Sequence, residues 1–324
     1  GIVPPLAVAE IFDGRKAAVG RRAYAGDCEI LATDEVIDRL IAQSVRQRGL
    51  YGVFSELLTL NVGNAVYVRP LDAEAGAPFG HLRSAFPRAI PLGIVRSADG
   101  RPALDADPDN ILQDDDLVVL LARRFDDCAP QQTRPASFPI SSAATLPPAL
   151  ERRRRVMILG WSQRTPTIVQ ELLRTRNRVE RFLARHGARE LRIVILAERV
   201  DAALIADLRE RLGALWNDRQ VLLRAGSPLR LEHLERVALQ EAAVLILPGA
   251  DHAEHNPEAV DAQTVKTLMA ISKHASDAGI VPPLAVAEIF DGRKAAVGRR
   301  AYAGDCEILA TDEVIDRLIA QSVR

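Results

Sequence analysis

Six consecutive residues, Gly160-Trp161-Ser162-Gln163-Arg164-Thr165, stand where an apolar strand, Val156 to Leu159, gives way to a helical pattern at Ile168, Val169, Leu172 and Leu173. A turn at the amino end of a helix presents free N–H groups, which hold an anion such as a phosphate. A dinucleotide fingerprint places three glycines there, for the tight turn, for the approach of the pyrophosphate and for helix packing. Only Gly160 remains. The residues therefore favour a structural turn, with an anion site near Ser162 as the alternative. Glu198 ends the next strand, where a carboxylate can accept hydrogen bonds from both ribose hydroxyls of an adenosine. Its neighbour Arg199 equally permits a plain surface role. Gly226 and Ser227 end the third strand in the same crevice, and their amides can face a ligand.

Asp251, His252, Glu254, His255, Glu258 and Asp261 form the densest group of metal-ligating side chains. Carboxylates and imidazoles at a strand end can hold a divalent ion such as calcium, with Asp251, Glu254 and Glu258 as the candidate ligands. The simpler reading is an acidic helix start, which the helix dipole stabilises and which Pro257 in the first turn supports. Asp114, Asp115 and Asp116 precede an apolar strand without the glycine and glutamate that a calcium loop needs, and read as a solvated turn. The chain has no Gly-x-Ser-x-Gly elbow, no phosphate loop ending in Lys-Ser or Lys-Thr, and no His-Glu-x-x-His helix. His186, His233 and His274 are scattered over helical segments. Nothing in these residues calls for turnover.

These groups must be positioned by a series of near-continuous apolar strands alternating with amphipathic helices. Strands are expected at Val156 to Leu159, Leu191 to Ala197, Gln220 to Leu223, Ala243 to Leu247, Leu284 to Phe290 and Glu307 to Ala310. Helices fall between them, including one at Val179 to His186, one from about Val260 to His274, and a last one capped by Thr311. This alternation predicts an α/β, doubly wound, Rossmann-like parallel sheet over residues 152–324. Residues 47–125 read differently, as a small α+β lobe: a helix at Leu50 to Leu60, strands at Ala65 to Arg69, Ile90 to Arg96 and Leu117 to Ala122, and a helix at Phe79 to Phe86. Between the lobes, residues 126–151 are rich in Pro, Ser and Thr and read as an extended linker.

Residues 1–46 recur unchanged as residues 279–324. They repeat only the last strands and helix of the doubly wound lobe, so the first copy lacks a sheet of its own to join. The order of segments suggests that one lobe runs through the second copy and that the small lobe continues from the first. The helix Asp34 to Arg46, repeated as Asp312 to Arg324, has an apolar face. Ile37 and Ile41, with Ile315 and Ile319, are its candidate pairing residues.

Composition narrows the classes further. A chain of 324 residues with 48% hydrophobic and 26% charged residues is long enough for about two domains. Its net charge of −1 and 4% aromatic content argue against a general nucleic-acid binder. Cys28, Cys306 and Cys128 form no Cys-x-x-Cys pair, which argues against a disulfide scaffold or structural zinc. No stretch reaches the apolar length of a membrane span. The region is expected to be soluble, either alone or as part of something attached to a membrane.

Several segments together resemble the cytosolic regulatory domains of ion channels that control potassium conductance, and most closely the CASTOR/POLLUX family. Ile158-Leu159-Gly160-Trp161-Ser162, Val194-Ile195-Leu196-Ala197-Glu198-Arg199 and Arg224-Ala225-Gly226-Ser227-Pro228 are similar to the family's first three strand ends. Asp261 to Leu268, Val286 to Ile289, Asp312 to Gln321, Gln43 to Leu50, Asp107 to Asn110 and Leu112 to Leu120 continue the likeness. The resemblance implies RCK-like, TrkA-N/TrkA-C-like units that assemble as paired units of a homo-oligomeric, tetrameric gating ring, joined to a pore on the cytoplasmic side of a membrane. It implies a ligand- or ion-responsive module of a cation channel, with NAD(H), another adenine nucleotide or Ca2+ as the ligand. Two rival readings remain open: a nucleotide-sensing soluble subunit of a potassium transporter, and an NAD(P)-dependent oxidoreductase.

Overall fold

The computed structural model describes residues 4–11, 14–59, 63–71, 74–96, 100–104, 106–131, 155–177, 179–180, 190–250 and 256–322. The chain divides into two units, Gly1–Gly52 with Pro147–Arg324, and Val53–Leu146. In chain order the first unit opens with β1 (Ala7–Ile11), α1 (Ala17–Ala23), β2 (Cys28–Ala32) and α2 (Thr33–Ser44). Helix α3 (Leu50–Leu58) carries the chain into the second unit, which holds β3 (Ala65–Pro70), α4 (Leu82–Ala85), β4 (Ile90–Val95), β5 (Pro102–Leu104) and β6 (Leu117–Ala122).

The first unit then resumes with β7 (Arg155–Leu159), α5 (Thr165–Arg174), β8 (Arg192–Ala197), α6 (Ala202–Leu212), β9 (Val221–Ala225), α7 (Leu231–Arg236) and β10 (Ala242–Leu247). It ends with α8 (Pro257–Asp277), β11 (Leu284–Ile289), α9 (Ala295–Ala301), β12 (Cys306–Ala310) and α10 (Thr311–Ser322). Most of the helix Val179 to His186 expected from sequence lies outside the described residues. Strand β5 and helix α9 are additions to the sequence reading: β5 spans three residues, and α9 holds Gly298 and two arginines in seven.

Strands β7 to β12 form one parallel sheet in the order β12-β11-β10-β7-β8-β9. This is the doubly wound order, with a switch point between β7 and β10. Helices cover both faces, so the strands must be apolar throughout. Every residue of β10 and β11 is buried, including the single acid Glu288. Met157, Leu159, Val194, Leu196, Leu245, Leu247, Leu268 and Ile271 pack the core on one side. Each fully buried aliphatic side chain there contributes roughly 1.5–3 kcal/mol.

The helices have local causes. Asp201 caps α6 by accepting from the Leu204 amide at 2.9 Å, and Asn256 caps α8 through the Glu258 amide at 3.0 Å. Pro166 and Pro257 sit in the first turns of α5 and α8, where no intrahelical N–H is needed. Thr311, expected as a cap, directs its hydroxyl to Glu288 Oε1 at 2.8 Å instead.

The two identical segments fold alike locally and part company at their helices. β1 pairs with β2 from Ala7↔Cys28 to Ile11↔Ala32, and β11 pairs with β12 in the matching register, Ala285↔Cys306 to Ile289↔Ala310. β11 also joins β10, whereas β1 and β2 make a two-stranded sheet. Helix α2, from the first copy, packs on α5, β11 and β12, and α10, from the second, packs on β1 and β2. The copies have exchanged helices.

The second unit is an antiparallel sheet in the order β3-β6-β4-β5 over a core of Phe79, Leu82, Phe86, Ile94, Leu112, Val118 and Leu120. The start of the expected linker packs here, because Asp127 and Cys128 are buried at the end of a short turn over Phe125–Cys128. Of the three aspartates before β6, Asp114 and Asp115 are exposed as a solvated turn requires, while Asp116 is buried and accepts from Arg96 and from the Gln113 amide.

Candidate functional site

Three strand ends meet at the carboxyl edge of the six-stranded sheet. Gly160 follows β7 with φ of 113°, a backbone that side chains rarely adopt, and its amide donates to Leu196 O at 2.9 Å. Gly226 follows β9 and donates to Ala197 O at 2.7 Å. Glu198 is the next residue along β8 and is exposed. Gly160, Glu198 and Gly226 are thus gathered around three consecutive residues, Leu196 to Glu198.

The amides meant for an anion are engaged within the chain. Ser162 is fully buried, and its N–H donates to Thr165 Oγ1 at 2.9 Å while the Thr165 N–H returns to Ser162 O at 3.0 Å. The Ser227 amide donates to His233 Nδ1 at 2.9 Å. A Cβ on Gly226 would stand 2.9 Å from that imidazole and 3.0 Å from the Arg236 guanidinium, which itself donates to Ala225 O. His233, set aside in the sequence as one of several scattered histidines, is the side chain that fixes this turn.

The metal group does not assemble among the described residues. Asp251 and Glu254 lie outside them, as do His252 and His255. Glu258 is exposed in the first turn of α8. Asp261 is buried and accepts from the Phe290 amide at 2.8 Å, the Asp291 amide at 3.2 Å and Lys294 Nζ at 3.2 Å, so it holds the loop after β11. The described residues contain no group of three metal-ligating side chains.

A cluster absent from the sequence reading occupies the switch point. Arg164 precedes α5 and is 7% exposed. Its guanidinium donates through Nη2 to Glu288 Oε2 on β11 and lies 3.3 Å through Nη1 from Asp38 Oδ1 on α2. Glu288 also accepts from the Gly249 amide at 2.7 Å, beyond β10, and from Thr311 Oγ1. Burial works against the Arg164 charge, but the Glu288 and Asp38 carboxyls more than offset it and raise its pKa. The signals were present in the sequence: one acid inside the apolar run Leu284 to Phe290, and one aspartate on the apolar face of α2. Only the fold aligns them with Arg164.

The four isoleucines divide by copy. Ile37 and Ile41 are each 1% exposed, inside the contact of α2 with the lobe, whereas Ile315 and Ile319 on α10 are half-buried. Beyond α2, Tyr51 N donates to Glu307 Oε1 at 2.6 Å and Arg48 pairs with Asp305 at 2.6 Å, so the segment after α2 also rests on the second copy.

Residues 34–137 match the family model described as Castor and Pollux, part of voltage-gated ion channel. Residues 167–282 match the calcium-activated potassium channel slowpoke-like RCK domain. The probable ion channel POLLUX of Arabidopsis thaliana is 23% identical over 75% of this chain and 28% of its own length. The ion channel CASTOR of Lotus japonicus is 30% identical over 41% of this chain and 15% of its own. The chain therefore spans about a quarter or less of these relatives. The human SLO3 gating ring shares the fold, with a TM-score of 0.63 at 14% identity, over 97% of this chain and 64% of that one. No helix among the described residues is long and apolar enough to cross a membrane.

Proposed function

We propose that this chain, an RCK/TrkA-like regulatory domain related to the CASTOR/POLLUX ion-channel family, is a non-catalytic, ligand- or ion-responsive part of a cation channel's gating ring. The observation that carries this reading is the placing of α2. It follows the two-stranded sheet in the chain, precedes the antiparallel unit, and is held on the doubly wound lobe by buried contacts rather than by the peptide bond. A ligand that prefers one docking of such a helix shifts the ring by the difference in its affinity for the two states, and by no more. The ring would be a homo-oligomer on the cytoplasmic side of the membrane, joined to a pore.

An adenine nucleotide such as NAD(H) is supported by the gathering of Gly160, Glu198 and Gly226 at one strand edge, where Glu198 is exposed. Ser162 and Ser227 would have to release their present partners to take part. Calcium is the alternative ligand, through Asp251, Glu254 and Glu258. Ile315 and Ile319, half-buried, are the pairing residues open to a neighbouring subunit.

Calorimetric titration with NAD(H), adenine nucleotides, calcium, sodium and potassium, under conditions where sedimentation shows assembly, tests the reading. Binding of one of these ligands supports it, and binding of none overturns the sensor role. Glu198→Ala should weaken an adenosine-containing ligand roughly 10- to 100-fold, the worth of hydrogen bonds to a charged group. An unchanged titration removes the ribose contact.

A further inference from the structure

We propose that Asp38 is a proton-binding site that sets how firmly α2 docks on the six-stranded lobe. One guanidinium, that of Arg164, stands between the carboxyl groups of Asp38 and Glu288. Both acids are 1% exposed. With both ionised, the cluster would hold one uncompensated negative charge where water cannot screen it, a state that burial strongly disfavours. One bound proton removes it.

The hydrogen bonds decide which carboxyl takes that proton. Glu288 accepts from three donors, Arg164, the Gly249 amide and the Thr311 hydroxyl, so both of its oxygens face donors and neither calls for a proton of its own. Among the described residues Asp38 has the 3.3 Å approach of Arg164, and its Oδ1 has no hydrogen-bond partner. The charged groups acting on Asp38 are Arg164 from just before α5, Glu288 from β11, and Asp34 and Glu35 from its own helix. Burial, opposed by Arg164 and reinforced by the three other acids, pushes the Asp38 carboxyl up to about 8.

The sign of the coupling follows. Released from the lobe, Asp38 would titrate near the ordinary aspartate value of about 4. The docked form holds the proton more tightly, so its contribution to docking is complete below that value and is lost as pH rises through the docked one. Between the two, docking weakens by up to about ten-fold per pH unit. The same residue in the second copy, Asp316, is exposed and lacks this environment.

Backbone hydrogen exchange of the full chain, corrected for intrinsic rates, reads the docking directly. Peptides that run past Arg46 identify the first copy, because the second copy shares every residue before that point. Protection of Thr33–Ser44 should fall about ten-fold or more from pH 6 to pH 8. Asp316→Asn should keep that slope, and Asp38→Asn, which mimics the neutral acid, should abolish it while remaining protected. A flat profile in the unaltered chain overturns the proposal. So does an undiminished slope in Asp38→Asn, or loss of its protection at pH 6.

Discussion

Asp38 and Asp316 hold the same place in two identical stretches of sequence, yet Asp38 lies 3.3 Å from the Arg164 guanidinium and is 1% exposed, while Asp316 faces solvent. The difference arises because only one such helix can lie against α5, β11 and β12. That place is taken by α2, and α10 packs on the two-stranded sheet of the first copy. Each duplicated position is therefore a matched pair: one side chain, two environments, one molecule.

Ile41 and Ile319 are such a pair. Ile41 is 1% exposed in the docked face of α2, and Ile319 is half-buried on α10. Ile41→Ala should destabilise the first unit by about 2–5 kcal/mol through lost burial and the cavity left behind. Ile319→Ala should cost clearly less. Denaturant unfolding of the two variants checks the order, and equal losses would mean that the two helices are equally packed.

Glu288 and Glu10 form a second pair. Glu288 is the partner of a buried arginine, whereas Glu10 is exposed and accepts from Thr33 Oγ1 at 3.3 Å. Breaking a buried ion pair by removing one partner costs about 3–5 kcal/mol. Glu288→Ala should fall at the lower end, because Asp38 can then ionise against Arg164. Glu10→Ala should lie within about 0.5 kcal/mol of the unaltered chain, as exposed substitutions do. Thermal and urea unfolding measured side by side would expose any reversal.

Cys306 offers a chemical readout of the same lobe. Burial pushes its thiol up to about 12, with Arg299 working against the shift and Glu307 with it. The thiolate is the reactive form. In a Cys28→Ser background, which removes the otherwise identical peptide, Cys306 should resist alkylation at pH 8 until denaturant unfolds the lobe. Rapid labelling of the folded chain would show that β12 opens readily.

Much of the framework was legible in the residues alone. The six parallel strands and most of their helices follow from apolar runs and 3.6-residue spacing, because a strand covered on both faces tolerates little else. The missing glycines after Gly160 already argued against an ordinary dinucleotide turn, and the closed hydrogen bonds of Ser162 with Thr165 are the physical counterpart. The repeat, too, was plain, but the expectation that its first copy lacks a sheet of its own is corrected: β1 and β2 pair with each other as a two-stranded sheet, and α10 covers them.

What sequence could not settle is which copy of a residue meets which partner. Gly1 to Arg46 and Gly279 to Arg324 have the same propensities at every position, so no local rule can bury Asp38 and expose Asp316. The choice is made by long-range packing: β11 joins β10, the space beside α5 admits one helix, and the helix that fills it brings its aspartate to Arg164 and Glu288. Local chemistry determined the elements. The competition of two equal segments for one site, resolved only in three dimensions, decided their surroundings.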